Sequence, residues 1–221
     1  MATLVQISWQ PSTVKTMGAR FLNPETTLFI AGDPKGLPWA GWRKQYSPEK
    51  KNFVKVNTAA EAIRVLKAAV DKLPHVNCIV IDTISTLMSN EEMEIMKSPG
   101  SRDAWADLAS SVYELYQVVD SLKKDDLVVF VLSHIELFDD NGIVRKRTKT
   151  NGKKLTKLNL NGLLSYNLYA EVHPTGEEGV FEYKLRTQTD GTDEARSPYG
   201  MFDYRIDTNF EFIRKTILEN E

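Results

Sequence analysis

The amino-acid sequence predicts an α/β domain with a mainly parallel central sheet and an antiparallel C-terminal extension. Continuous apolar runs alternate with amphipathic helical stretches over the first part of the chain, as in parallel sheets covered by helices on both faces. After about residue 135 hairpin turn signals replace this alternation. The length of 221 residues and the hydrophobic content of 42% fit one domain, with its core at about 1–135 and the extension with a closing helix at about 136–221.

The elements of the core are predicted in chain order. Residues 4–8 and 27–31 are short apolar runs typical of strands, and only residues 12–21 between them can form a helix. Thr58 and Glu61 form a capping signature before an amphipathic stretch that ends at Pro74. The remaining core elements are strands at 53–56, 78–81 and 127–132 and a helix at 105–122.

The extension is predicted from its turns. Asp139, Asp140, Asn141 and Gly142 form a hairpin signal. Strands at 163–172 and 180–187 flank a second turn at 175–179, and residues 210–218 have the spacing of a helix. These strands are expected to be antiparallel.

Composition and patterning exclude several classes of function. The net charge is −2, and the longest apolar runs are far shorter than the roughly 18 residues that a membrane span needs. Residues 1–8 lack a secretory pattern, so we expect a cytoplasmic protein without a membrane partner. Cys78 lies in an apolar run, which favours a buried side chain over a nucleophile. With one Cys and three widely spaced His there is no zinc pattern, so a hard cation on oxygen ligands is the expected metal.

The first candidate site is the octapeptide Trp-Gln-Pro-Ser-Thr-Val-Lys-Thr at residues 9–16, between the first strand and the first helix. A phosphate-binding loop of the form GxxxxGK[ST] occupies this place because glycines let backbone amides surround phosphates. Both glycines are replaced, by Trp9 and Val14, so a chance Lys-Thr pair at a helix start is the alternative. The candidate phosphate-binding residues are Pro11, Ser12, Thr13, Val14, Lys15 and Thr16.

Three further candidates follow apolar strands. Asp82 could hold Mg²⁺ beside Thr16, or cap a helix. Asp33 could polarise an attacking water, or form a turn ahead of a proline. His134, after Ser133, could sense a terminal phosphate, or be a structural histidine. Because the carboxyl ends of parallel strands share one edge of the sheet, the candidates together favour a nucleotide site.

A basic block forms the last candidate. It holds seven cations in thirteen residues, a quarter of the 28 in the chain: Arg145, Lys146, Arg147, Lys149, Lys153, Lys154 and Lys157. Gly152 beside Asn151 predicts a flexible loop in its middle, suited to a phosphate backbone. A solvated basic hairpin without a ligand is the alternative.

The order of several segments resembles the RecA-like ATPases of bacteriophages, small AAA-domain proteins associated with single-strand annealing and recombination. The similarity runs from about residue 4 to about residue 215. Its most specific segments are Lys-Thr-Asn-Gly-Lys-Lys-Leu at 149–155 and Ser-Pro-Tyr-Gly-Met-Phe at 197–202, and it also includes Phe-Ile-Ala-Gly-Asp at 29–33 and Ile-Val-Ile-Asp-Thr at 79–83.

The resemblance implies a RecA-like P-loop NTPase core that binds ATP and Mg²⁺ between subunits and acts on single-stranded DNA. By position, Lys15 would neutralise phosphates, Thr16 and Asp82 would hold Mg²⁺, and Asp33 would activate water. His134 would sense the terminal phosphate. Lys153 or Lys154 would reach the nucleotide of a neighbouring subunit.

The expected function is therefore a nucleotide-dependent protein that binds single-stranded DNA as a homo-oligomer and promotes annealing or strand handling. A single-strand binding protein is a candidate further partner, and the host-cell cytoplasm is the expected location for a phage protein. Because the loop glycines are missing, the alternative is a pseudo-ATPase that acts as a DNA-binding or assembly module. A small-molecule kinase is disfavoured, since it has no use for the basic block.

Overall fold

Nine strands form one sheet in the computed structural model, which describes residues 1–10, 15–97, 103–158 and 160–220, apart from the side chains of Lys15 and Lys153. The strands are β1 Thr3–Trp9, β2 Thr27–Ala31, β3 Phe53–Lys55, β4 Cys78–Asp82, β5 Val128–Asp140, β6 Ile143–Thr148, β7 Tyr166–Pro174, β8 Phe181–Arg186 and β9 Arg205–Asp207. The helices are α1 Trp42–Gln45, α2 Ala59–Lys72, α3 Ile84–Lys97, α4 Ala104–Ser121, α5 Lys153–Thr156 and α6 Phe210–Asn220, with 3-10 helices at Lys15–Phe21 and Leu160–Leu163.

The strand order is β3-β2-β4-β5-β1-β7-β8-β9, and β6 pairs with the projecting end of β5. Neighbours from β3 to β7 are parallel, whereas β8, β9 and β6 join by antiparallel pairing. The predicted α/β class with a mainly parallel sheet is confirmed.

Helices cover both faces of the sheet because the parallel strands are apolar on both sides. One core cluster contains the buried sides of α2, α3 and α4, and the other contains residues of α6 and of the 3-10 helix after β1. Within the described residues, no helix combines the length and the apolar character that crossing a membrane requires.

The capping prediction for α2 is confirmed in detail. The Glu61 amide donates to the Thr58 hydroxyl at 3.1 Å, and the Glu61 carboxylate accepts from the Asn57 amide at 2.7 Å. The helix ends at Lys72, with Leu73 as its C-cap residue directly before Pro74. Local sequence therefore sets both ends of this helix.

Some predictions about elements were wrong or incomplete, and some elements were not predicted. The strand predicted to end before Ser133 continues to Asp140, because residues 135–140 pair with β6 after the parallel partners have ended. The strand β7, predicted as antiparallel, pairs in parallel with β1 and so belongs to the central sheet. The helix α3 and the three-residue strand β9 were not predicted. The predicted helix at 12–21 is a 3-10 helix over Lys15–Phe21, and residues 11–14 lie outside the described residues.

Candidate functional site

The centre of the site is a contact between Thr16 and Asp82. The Thr16 hydroxyl donates to Asp82 Oδ2 at 2.9 Å, and the two residues are 7% and 8% exposed. Thr16 follows β1 and Asp82 ends β4, two strands that β5 separates in the sheet. Residues 66 positions apart in sequence thus meet at the carboxyl edge, as the strand-end argument predicts.

Asp33 is tied to the same place through the main chain. The Asp82 carbonyl accepts from the amides of Gly32 and Asp33 at 2.8 and 3.1 Å. The half-buried Asp33 carboxylate also accepts from the Lys35 amide at 2.9 Å, which is an Asx turn. The turn that the sequence offered as the alternative is therefore present, and the role of Asp33 in activating water stays a prediction.

His134 is paired with Trp9 in the register of β5 and β1, at the same edge. Its amide donates to the Ser85 hydroxyl at 2.8 Å, and its carbonyl accepts from the Lys149 amide at 2.8 Å. Ser85 belongs to the first turn of α3. Because the sequence analysis did not predict this helix, it could not predict that Ser85 contacts His134. His134 consequently links the sheet edge with the first residue after β6.

The Thr16 and Asp82 oxygens fit a hard cation. Mg²⁺ binds through one or two protein oxygens and completes its shell with water and phosphate oxygens. No group of three or more His, Cys, Asp or Glu side chains in the described part of the chain could hold a metal. A cation at this edge would therefore complete its shell with water or with phosphate oxygens. The predicted phosphate-binding residues Pro11, Ser12, Thr13 and Val14 lie outside the described residues, and so does the Lys15 side chain.

A buried polar network supports the edge from below. The Gln6 amide nitrogen lies 2.6 Å from the Thr148 hydroxyl and 3.1 Å from the Asn167 side-chain oxygen. Its oxygen accepts from the Tyr116 hydroxyl at 2.5 Å, and the hydroxyls of Ser8 and Ser133 are 2.9 Å apart. Burial raises the pKa of Tyr116, so this hydroxyl stays a neutral donor. The network joins β1, β5, β6 and β7 into one unit.

Two cations of the basic block have carboxylate partners. Arg145 contacts Asp140 at 2.7 Å, and Arg147 contacts Glu136 at 2.7 Å across the β5–β6 hairpin. The Arg147 guanidinium also lies 4.6 Å from the centre of the Phe138 ring. The block lacks acids in sequence, but the hairpin brings them from the neighbouring strand.

The predicted loop in the middle of the block is present at residues 149–152, but its Asn-Gly pair is anchored to the core. Residues 153–156 form α5, and Asn151 is buried, with its amide donating to Glu92 of α3. Gly152 has φ +84° and packs against Trp105 of α4. The side chains of Lys149, Lys154 and Lys157 are exposed. Residues 149–157, called the basic platform below, are therefore held against the core, because Asn151 contacts α3 and Gly152 contacts α4.

Comparison with protein-family models gave no match, and a search of curated proteins gave no significant match.

Proposed function

We propose that this protein is a nucleotide-dependent single-stranded DNA-binding protein of the RecA-like type, which assembles with copies of itself and promotes annealing or strand handling. The observation that carries the proposal is the 2.9 Å contact between the Thr16 hydroxyl and the Asp82 carboxylate at the carboxyl edge of the sheet. A hydroxyl after the first strand and a carboxylate ending a second one are the protein ligands of Mg²⁺ in phosphoryl-transfer sites of this architecture.

In this proposal each residue has a defined task. Thr16 and Asp82 hold Mg²⁺ at the phosphates of ATP, and Lys15 neutralises their charge. Asp33 orients the attacking water, and its tie to the Asp82 main chain supports that position. His134 senses the terminal phosphate.

The hydrogen bond from the Lys149 amide to the His134 carbonyl supports the dependence of DNA binding on nucleotide. Through this hydrogen bond, a shift of His134 on nucleotide binding would move Lys149, the first residue of the segment that carries Lys149, Lys154 and Lys157. This platform offers phosphate contacts without base readout, so binding is expected to be insensitive to sequence.

The test is calorimetry of Mg-ATP binding to the wild type, Thr16→Val and Asp82→Asn. Thr16→Val removes the hydroxyl ligand and Asp82→Asn removes the carboxylate charge, so the Mg²⁺-dependent part of the affinity should fall at least about tenfold. Asp126→Asn, an exposed aspartate outside the site, is the matched control and should bind as the wild type does. Circular dichroism establishes that the variants are folded. Equal affinities in all four proteins would refute the assignment of this site.

A pseudo-ATPase is the second candidate, favoured by the β-branched Val14 where glycine serves the phosphate loop. Strained backbone at a non-glycine residue costs about 1 to 3 kcal/mol, which corresponds to at least about fivefold in affinity. Val14→Gly should recover that factor, whereas the control Val14→Ala should not. Trp9 is buried in β1, so its replacement by glycine would damage the core and is a poor test.

ATP hydrolysis with and without single-stranded DNA separates the two candidates. The ATPase is expected to hydrolyse ATP faster with DNA. A protein that binds DNA but shows no turnover, even as Val14→Gly, is the assembly module.

A further inference from the structure

A large groove lies at the β3 edge of the sheet. It has a volume of about 1020 Å³ and lies between the edge strand β3, α2 and the segment around α1. Its apolar lining includes Trp42, Tyr46, Phe53, Val65 and Leu73. Nothing in the proposed nucleotide site uses this groove.

The rim of the groove is strongly basic. It carries one acid, Glu49, and five exposed cations: Lys35, Arg43, Lys51, Lys55 and Lys72. Within the described residues none of these five forms an ion pair. An apolar floor with an unneutralised basic rim fits an apolar segment flanked by acids.

The chain itself presents such a segment, at the tip of the β7–β8 hairpin. Val180 and Phe181 are 44% and 52% exposed there, and Glu177, Glu178 and Glu182 beside them are exposed. The turn is held by hydrogen bonds from the Thr175 amide to the Val180 carbonyl and from the Val180 amide to the Glu177 carbonyl. The tip is therefore an ordered turn that exposes Val180 and Phe181 between glutamates.

We propose that the hairpin tip of one copy, residues 177–182, docks into the basic apolar groove of a second copy. The two surfaces cannot meet within one chain, because β3 and β7 are five strand spacings apart in the sheet, about 24 Å. Phe181 and Val180 cover the apolar floor, and the glutamates face the lysines of the rim. The contact is head-to-tail, so it propagates into a filament or closes into a ring.

This interface borders the candidate nucleotide site. Pro34, Lys35 and Gly36 line the groove and directly follow Asp33, whose carboxylate holds the Lys35 amide. The proposed contact rests on the proposed function in one respect only, which is that the active protein is an assembly of several copies. A neighbour in the groove would touch the loop that carries Asp33.

A charge swap in the full chain tests the interface by sedimentation. Lys51→Glu with Lys55→Glu reverses the rim, and Glu177→Lys with Glu178→Lys reverses the tip. Each double variant alone should associate at least about tenfold more weakly than the wild type, because like charges then face each other. An equimolar mixture of the two should regain association, since each tip then meets a groove of opposite charge. Glu25→Lys with Glu219→Lys, exposed acids outside both surfaces, is the control.

Wild-type association with loss in both variants and recovery in the mixture supports the proposal. A wild type that remains monomeric at micromolar concentration with ATP and DNA overturns it, as do variants that associate normally or a mixture that stays dissociated. Calorimetry of Mg-ATP binding on the same samples keeps the two proposals separate. A working charge swap without nucleotide binding would refute the proposed function alone, and nucleotide binding without a working swap would refute the docking alone.

Discussion

Cys78 lies in β4, four residues before the candidate Mg²⁺ ligand Asp82, and shows how strongly the sheet excludes water. It is fully buried, and desolvation raises the pKa of its thiol to about 12. The sequence interpretation of Cys78 as a buried side chain agrees with this. A thiol that is both protonated and inaccessible is a poor nucleophile.

We predict that Cys78 in the native protein does not react with an aromatic disulfide reagent at pH 8. At that pH the thiolate fraction is on the order of one in ten thousand, because the pKa of about 12 lies four units higher. Labelling should follow the rate of unfolding and become fast in denaturant. Cys78→Ser gives the reagent background, and rapid native labelling would contradict the burial.

Gly152 fixes the basic platform to α4. Its φ is +84°, and a Cβ there would lie 2.9 Å from Cε3 of Trp105. Gly142 has a similar φ of +86° with open space around its Cβ position. Gly152 also has a ψ of 141°, so an alanine there would carry both a backbone conformation that L-residues rarely adopt and the contact with Trp105.

Gly152→Ala is expected to destabilise the protein by about 1 to 3 kcal/mol and to cost more than Gly142→Ala, which bears the strain alone. Urea unfolding of both variants measures the two costs. Equal losses would mean that the Trp105 ring gives way without penalty.

The β5–β6 hairpin contains Arg145, Lys146 and Arg147 of the basic block, whereas the lysines of the block follow β6 from Lys149 onward. Asn141 and Gly142 have φ of 55° and 86°, the two positive values of a type I′ turn. In the register that this turn sets, Arg147 lies opposite its partner Glu136, and Arg145 lies opposite Phe138 and contacts Asp140 diagonally. Because Arg145 and Arg147 already have carboxylate neighbours, their contact with a phosphate backbone is expected to release fewer counterions.

The salt dependence of single-stranded DNA binding should therefore depend on the lysines. Replacing Lys149, Lys154 and Lys157 by Gln should flatten the slope of log affinity against log salt by about 2, at about 0.7 per lost contact. The paired control, Arg145→Gln with Arg147→Gln, should change the slope by less than one contact. The opposite ranking would place the DNA on the hairpin instead of the platform.

At the scale of the whole molecule, the central sheet crosses the boundary that the sequence suggested near residue 135. The strand β7 pairs with the edge of β1 that faces away from β5. Leu155, Leu160 and Leu164 belong to the same core cluster as α2, α3 and α4. The extension is thus part of the packing that holds the candidate site.

A fragment of residues 1–135 is expected to lack cooperative unfolding, because it exposes one edge of β1 and an apolar face of α4. Thermal scans by circular dichroism and binding of a hydrophobic dye measure this, with the full chain as reference. A sharp transition near the full-length midpoint would show that the core is independent.

The parts of the fold predicted correctly are those written in local pattern. The apolar runs at Thr27–Ala31 and Cys78–Asp82, the α2 cap at Thr58 and the Asn141–Gly142 turn each carry their cause within a few residues. The roles of the candidate residues at the sheet edge stay predictions. The helix α3 was missed because only its first turns bear a buried apolar face.

The sequence by itself determined the class of fold and the edge near which Thr16, Asp33, Asp82 and His134 lie, because parallel strands align their carboxyl ends whatever their order. Tertiary structure alone decided what those residues contact. Long-range packing places β5 between β1 and β4. It also brings the acids to Arg145 and Arg147, and it sets the helices against Asn151 and Gly152. Such contacts join residues tens of positions apart, so their free energy has no trace in the local pattern.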